Sequence, residues 1–148
     1  MSKILSSLRL MQRMERFATQ VYRNQTRAFG EHDIADKLQR ASDNEKEHAD
    51  TLSKRLHELK GAPSKTGILF DIAGAILGFK TTLISKVFLL KTDIWIEKRA
   101  VRDYSDFLQK VDFDEETKAL LSRIIEDEKK HIETWNSSIK VLKSDLNK

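Results

Sequence analysis

Apolar residues recur at intervals of three and four along most of the chain, which is the period of an α-helix. Four long amphipathic helices are predicted: helix A from about Ile4 to Phe29, helix B from about Ile34 to Leu59, helix C from about Thr82 to Gln109, and helix D from after Asp112 to about Leu142. A shorter apolar helix is predicted from about Ile68 to Phe79, and residues 143–148 are predicted to fray. Short A–B and C–D turns with a longer B–C connection favour an all-α four-helix bundle with one crossover, which contains the extra helix.

The residues between these segments mark where the helices begin and end. Gly30 fits the C-terminal cap of helix A, and Asp33 fits the N-cap of helix B. Pro63 is the only proline and marks the clearest break. Asp112 is a candidate N-cap for helix D, with Glu115 three residues later as a capping box.

One carboxylate interrupts each of the four apolar stripes: Glu15 on helix A, Glu45 on helix B, Glu97 on helix C and Glu128 on helix D. His48 and His131 follow the second and the fourth of these by three residues, which places each pair on one helix face. Tyr22 and Tyr104 follow the first and the third by seven residues. The chain has four histidines and two tyrosines, so this twofold repetition is far more specific than one Glu-x-x-His pair.

These four carboxylates predict a dinuclear metal centre. A buried carboxylate costs several kcal/mol unless it is paired or bound to a cation, and no lysine or arginine lies on the four stripes. Four carboxylates and two imidazoles can hold two divalent ions, and these ligands suit iron or manganese. The arrangement matches the one known for di-iron and di-manganese helical bundles. A bundle that keeps the pattern without a metal is the alternative.

Composition narrows the function classes. The 148 residues predict a single domain over 1–148, and 39% of them are hydrophobic. The absence of cysteine excludes disulfides, thiolate zinc sites and iron–sulfur clusters. A net charge of +4 with interleaved acidic residues predicts an ordinary solvated surface and no nucleic-acid binding. The first residues carry no signal-peptide pattern.

Other polar and aromatic residues have weaker signals. Tyr22 and Tyr104 either close the core layer or, as we expect, donate a hydrogen bond to a ligand carboxylate two turns away and so support catalysis indirectly. Asp93, one turn before Glu97, is the candidate for an extra ligand or a proton carrier. Four acidic residues beside the ligands are predicted to be solvated or to support the ligands: Glu47, Asp50, Glu126 and Asp127. Two histidines are predicted to face solvent and two tryptophans to pack: His32 and His57, Trp95 and Trp135.

The apolar segment before helix C allows two interpretations. Its longest uncharged stretch, Ile72–Phe79, is far short of the roughly 20 residues that span a bilayer. It either packs on the bundle as a fifth helix or dips into a membrane interface, with the lysines that follow it facing anionic head groups. Gly74 and Gly78 would allow another helix to approach closely.

The repeated Glu-x₆-Tyr and Glu-x-x-His pattern resembles the ferritin-like superfamily, and most closely the demethoxyubiquinone hydroxylase family from about Met14 to Trp135. The Glu45-Lys46-Glu47-His48 stretch is similar to that family's second-helix motif. The segment IAGAILGFKTTLISK resembles its glycine-bearing apolar stretch. Rubrerythrins share the ligand scheme but usually have an extra carboxylate near Ala100 and a cysteine-ligated iron domain. At Asp103 this chain departs from the family, which tends to have histidine there.

The resemblance implies a ferritin-like fold and a set of six metal ligands: Glu15, Glu45, His48, Glu97, Glu128 and His131. It implies two iron ions, with manganese as the alternative. The implied activity is a monooxygenase of ubiquinone biosynthesis, which hydroxylates a demethoxyquinone-type ring with O₂ and two electrons from an external donor. The implied location is cytoplasmic, peripheral on the inner face of the membrane, and a homodimer through the apolar segment is also compatible. The alternative function is a soluble rubrerythrin-like or ferritin-like protein that binds iron or reduces peroxide.

Overall fold

The computed structural model describes residues 1–145, and these form five α-helices and no strand. The helices are α1 (Ser2–Gln25), α2 (Asp33–Glu58), α3 (Gly67–Thr82), α4 (Lys86–Lys110) and α5 (Glu115–Asp145). A short 3₁₀ turn, Thr26–Ala28, follows α1. The all-α prediction is therefore confirmed. The prediction of fraying from residue 143 is wrong as far as Asp145, because α5 continues to that residue, and beyond it the prediction lies outside the described residues.

The bundle consists of two helix pairs, α1 with α2 and α4 with α5, and α3 lies on the outside of α1. Two apolar clusters fill its interior. One includes Val21, Leu38 and Trp135, and the other includes Leu52 and Leu121. Each of the four long helices contributes to both clusters, and its predicted ligand residues lie between the two contributions. The apolar stripes thus place one polar layer in the middle of the core.

The start of α2 differs by one residue from the sequence prediction. His32, not Asp33, is the N-cap, because its ring Nδ1 accepts a hydrogen bond from the backbone N–H of Ile34 at 3.2 Å. His32 is therefore not simply a solvent-facing loop residue. The preceding turn contains Gly30 with φ of 55°, a left-handed conformation that favours glycine, as predicted for that position.

The start of α5 also differs, because the cap is Asp114 and not Asp112. The Asp114 carboxylate accepts a hydrogen bond from the backbone N–H of Thr117 at 2.8 Å, and the helix begins at Glu115. The same carboxylate accepts a 2.8 Å hydrogen bond from Arg55 on α2. The cap was misassigned because several acidic residues stand close together in this turn, and the contact with α2 selects among them.

The glycines of α3 explain how closely this helix packs on α1. A Cβ atom on Gly74 would lie 2.2 Å from the carbonyl oxygen of Phe17, and one on Gly78 would lie 2.5 Å from that of Val21. Only glycine fits at both positions, so the predicted close approach is confirmed. The helix extends past the predicted end and leaves large apolar side chains exposed: Ile68, Leu69, Ile72, Ile76 and Phe79.

Helix α4 begins at Lys86, four residues later than the sequence predicts. The hydroxyl of Ser85 accepts a hydrogen bond from the backbone N–H of Phe88 at 3.2 Å and caps the helix. The break between Thr82 and Lys86 was not apparent because apolar residues continue through it. Among residues 1–145, no helix combines the length and the apolar character that a membrane crossing needs.

Candidate metal centre

The polar layer in the middle of the bundle consists of the six residues predicted as metal ligands. The four glutamates come from four different helices and are at most 3% exposed. His48 and His131 project into the same layer from α2 and α5. The structure thus brings together every residue of the predicted set.

Two groups of four residues are placed to hold a metal ion, and in each the ligand atoms lie within 4.8 Å of one another. The first group is Glu15, Glu45, His48 and Glu128. The second group is Glu45, Glu97, Glu128 and His131. Glu45 and Glu128 belong to both groups, so their carboxylates are shared between the two candidate sites.

The imidazole of His48 points toward the three carboxylates of the first group. Its Nδ1 atom lies 3.3 Å from the carboxylate of Glu128 and 3.5 Å from that of Glu45. The distance to Glu15 is 3.6 Å. On the other side of the ring, Nε2 lies 3.3 Å from Asp127, which fixes the orientation of the imidazole. Asp127 is thus a supporting residue, as the sequence allowed.

The imidazole of His131 points toward the three carboxylates of the second group in the same way. Its Nδ1 atom lies 3.0 Å from the carboxylate of Glu45 and 3.2 Å from those of Glu97 and Glu128. Both histidines therefore turn Nδ1 toward the shared carboxylates, which gives the two groups matching geometry.

The two tyrosines connect the halves of the bundle. The hydroxyl of Tyr22 on α1 donates a hydrogen bond to Glu97 on α4, and that of Tyr104 on α4 donates one to Glu15 on α1. Each partner is a predicted ligand, but it lies on the opposite helix and not two turns away on the same one. Burial, with the negative charge of Glu97, raises the pKa of Tyr22, so this hydroxyl keeps its proton and remains a donor.

Burial strongly affects the pKa values of the carboxylates. It raises the pKa of Glu15 and Glu97 well above the usual range, and the charges of Glu128 and Glu45 raise both further. Against the same desolvation, the close contacts with Glu15, His131 and His48 hold the pKa of Glu45 far below its usual range. Within one buried layer, the pKa values of the carboxylates are therefore shifted in opposite directions.

The surrounding carboxylates favour the protonated form of both imidazoles when no cation is bound. Although burial disfavours the charged ring, the nearby carboxylates of Glu128, Glu15 and Glu45 raise the pKa of His48 well above neutrality. The carboxylates of Glu128, Glu45 and Glu97 do the same for His131. Since metal ligands must be deprotonated, binding of an ion here releases protons.

Unsatisfied atoms test whether the layer fits a metal. Oε1 of Glu45, Oε1 of Glu128 and Nδ1 of His48 are buried, and the contacts of 3.0–3.6 Å described above do not give them a hydrogen bond of good geometry. Buried polar atoms are nearly always satisfied, so three such atoms in one layer require a further partner. Carboxylate oxygen and imidazole nitrogen are ligands for divalent iron and manganese, and the donor set therefore fits such a cation.

Asp93, the candidate extra ligand, belongs to neither metal-binding group. It is 0% exposed, and its Oδ1 accepts a 2.8 Å hydrogen bond from Gln25 on α1. The same Gln25 amide contacts Thr81 of α3 at 3.0 Å, so this cluster joins three helices. Oδ2 of Asp93 and Oε1 of Gln25 have no partner, and burial raises the pKa of Asp93 well above its usual range. A proton on Oδ2 of Asp93 would turn this atom from an acceptor into a donor.

The substitution Asp93→Asn tests this protonation. A raised pKa in the folded state means that folding retains a proton that the unfolded chain releases above about pH 3.9, so Asp93 lowers stability increasingly as the pH rises from there. Asparagine keeps an acceptor and supplies a permanent donor toward Gln25. We expect the melting temperature of Asp93→Asn, relative to the unchanged protein, to rise between pH 5 and pH 8.

The control is Asp93→Leu, which leaves the Gln25 amide without its acceptor. We expect it to be about 1–3 kcal/mol less stable than Asp93→Asn at every pH, because neither replacement side chain titrates. If Asp93→Asn instead loses stability toward pH 8, Asp93 is ionised in the folded protein and the assignment is wrong.

A cavity of about 290 Å³ lies between α1 and α4 and reaches the metal-binding layer. Glu45 and Glu128 are part of its floor. Met14 and Ala100 line its walls, and the exposed side chain of Trp95 lies at its rim. Trp95 is 64% exposed, so the prediction that it packs in the core is wrong, whereas Trp135 is fully buried. His57 is exposed, as predicted.

Sequence reasoning missed this cavity and the residues around it. No periodic signal distinguishes a stripe that packs against a neighbouring helix from one that lines a gap. The Gln25 contact was missed because the two partners lie 68 positions apart. Only Asp93 itself carried a signal, as a carboxylate one turn before a predicted ligand.

Comparison with known proteins gives one clear result. Residues 2–140 match the family described as ubiquinone biosynthesis protein COQ7. A search of curated proteins finds no match. The family match covers nearly the whole chain, including all six residues of the metal-binding layer. The chain therefore belongs to the COQ7 family of ubiquinone biosynthesis proteins, within the ferritin-like superfamily.

Proposed function

We propose that this protein is a di-iron monooxygenase that hydroxylates a demethoxyquinone-type ring in ubiquinone biosynthesis, with O₂ and two electrons from an external donor. The observation that carries the proposal is a pair of metal-binding groups with shared carboxylates at the floor of an apolar cavity. Membership of the COQ7 family supports the pathway. Manganese is the alternative to iron, because the same ligands suit it.

The six layer residues would hold the two ions, and iron in such a centre supplies O₂ activation. The chain's own residues fix the geometry. Tyr22 and Tyr104 hold the carboxylates of Glu97 and Glu15, and Asp127 holds the ring of His48. These contacts are the preorganisation that a reactive metal site requires.

The cavity walls favour a ring substrate over peroxide reduction. Met14, Ala100 and Phe107 present apolar surface beside the layer, where they would exclude water and position a ring. Rubrerythrins usually have an extra carboxylate near the position of Ala100. A methyl group at that position leaves open space next to the metal-binding groups.

The direct test supplies iron-loaded protein with a demethoxyquinone, a reductant and ¹⁸O₂. We expect a hydroxylated ring that carries the oxygen isotope, detected by mass spectrometry. Iron-loaded protein that forms no such product would overturn the proposal. Rapid peroxide consumption without ring product would support the rubrerythrin-like or ferritin-like alternative.

We also propose that the protein acts as a peripheral membrane protein on the cytoplasmic side. Exposed apolar residues continue from α3 along α4 to the rim of the cavity: Leu83, Ile84, Phe88 and Trp95. Lys80, Lys86 and Lys91 are exposed near this surface and suit anionic head groups. Asp71, the acidic residue of α3, is neutralised by an ion pair with Arg16 on α1. A lipid-borne ring could then enter the cavity directly from the bilayer.

The double substitution Ile72→Gln and Ile76→Gln tests this surface. Both side chains are about half exposed, so the change should weaken membrane contact without disturbing the core. We expect the protein to float with anionic liposomes and the double variant to remain in solution. Val141→Gln, an exposed apolar position on α5, is the matched control and should float normally. Equal flotation of all three proteins would contradict the prediction, and self-association lost in the double variant would identify a homodimer surface.

A further inference from the structure

Arg99 is the only basic side chain among the described residues that line the cavity. Its side chain is 49% exposed, and it stands one helical turn after Trp95 at the rim. The other lining residues are apolar or acidic, apart from the hydroxyl of Tyr104, which already donates to Glu15. A ligand in this cavity therefore has one cationic group to meet.

The contacts of Arg99 leave most of its hydrogen-bonding capacity free. Its Nε–H donates to Asp103 at 2.7 Å, four residues along α4. A guanidinium has five N–H donors, so four remain for a ligand. Because Asp103 also lines the cavity, this bond draws the guanidinium along the cavity wall. Arg102 approaches the same carboxylate only at 3.9 Å and does not line the cavity.

The charge of the metal-binding layer at the cavity floor bears on where a ligand places its hydrogen-bond acceptor. With two divalent ions bound, the four carboxylates would form a formally neutral layer. An oxygen of the ligand that points away from that layer meets Arg99, and a hydrogen bond from a charged donor is stronger than one between neutral groups.

We propose that Arg99 is a specificity-determining residue, which binds an oxygen substituent of the substrate ring at the rim of the cavity. The site thereby selects rings that carry an acidic oxygen, such as a hydroquinone hydroxyl, a phenolate or a carboxylate, over rings of the same shape without one. This inference rests on the proposed function for the presence of a ring in the cavity.

Binding without turnover tests the inference. Metal-loaded protein is titrated calorimetrically with 4-methylbenzoate and with its neutral methyl ester, without reductant or O₂. We expect Arg99→Gln to weaken the binding of 4-methylbenzoate about tenfold and to change that of the ester less than about twofold. Arg102→Gln, a neighbouring arginine on the same helix, is the matched control and should change both affinities less than about twofold. Arg99→Lys should restore only part of the loss, because an ammonium cannot bind an oxygen pair through a planar fork.

Three outcomes would overturn the inference. These are an equal loss in Arg99→Gln and Arg102→Gln, an equal loss for the acid and the ester, and no binding of either ring. The melting temperature of each variant shows that it is folded. The result is independent of hydroxylation, because a protein that binds the acid through Arg99 but forms no oxygenated product refutes the proposed reaction and leaves this inference standing.

Discussion

Glu128→Gln is expected to remove metal from both groups at once, because Glu128 is shared between them. Glu97→Gln affects only the second group and leaves the four ligands of the first intact, so we expect it to retain about one ion per chain. Metal content of protein loaded with excess Fe²⁺ without O₂ and then desalted distinguishes the two variants. A stepwise loss of this kind follows only if the two carboxylates have different roles.

The same two variants should also differ in how much Fe²⁺ raises their melting temperature. A ligand at 100 times its Kd stabilises the folded state by about 2.7 kcal/mol, which for a domain of this size raises Tm by roughly 2–4 °C per kcal/mol. We expect Fe²⁺ to raise the Tm of the unchanged protein by several degrees, that of Glu97→Gln by less, and that of Glu128→Gln hardly at all.

Metal-free protein is the control, and the direction in which Glu97→Gln changes its Tm can be predicted. The raised pKa of Glu97, which comes first from burial and then from neighbouring carboxylates, means that this residue lowers stability increasingly above about pH 4.3. Glutamine lacks the proton to lose and still accepts from Tyr22. The metal-free Tm of Glu97→Gln at pH 8 should therefore equal or exceed that of the unchanged protein. If the unchanged protein itself retains less than about one ion per chain, it is instead a bundle that keeps the pattern without a metal.

The residues of the metal-binding layer were predictable because the physical conflict is visible in the sequence. A carboxylate in an apolar stripe needs a partner wherever the stripe packs against another helix. Glu45 is such a carboxylate, and His48 beside it indicates that the partner is a metal ion. Which oxygens are shared was not predictable, because sharing depends on how the helix pairs approach one another. Glu128 and Glu97 have the same signal in the sequence and different positions in the layer.

Local signals placed the helices but not all of their ends. Asp33 and Asp112 were reasonable caps by residue type, yet His32 and Asp114 occupy those positions. Near-equivalent candidates stood side by side, and contacts between helices decided between them. Exposure at the gap between α1 and α4 depends likewise on helix spacing, which is why Trp95 was assigned to packing.

Ala100→Leu is expected to abolish ring hydroxylation while leaving the metal centre intact. The methyl group of Ala100 lines the cavity beside the metal-binding layer, and a leucine side chain would occupy the space that a ring requires. A displacement of about 1 Å from productive geometry costs on the order of 100-fold in rate, so we expect kcat/KM to fall by about that factor or more. Because the added carbons enter a cavity of about 290 Å³, they should not force the core apart.

Three measurements distinguish obstruction of the cavity from general damage. Metal content and the Fe²⁺-induced rise in Tm should be the same in Ala100→Leu and in the unchanged protein, since Ala100 belongs to neither metal-binding group. Ala100→Ser, which adds a single oxygen atom, should retain most of the activity. Undiminished ring hydroxylation in Ala100→Leu would show that the substrate does not enter between α1 and α4.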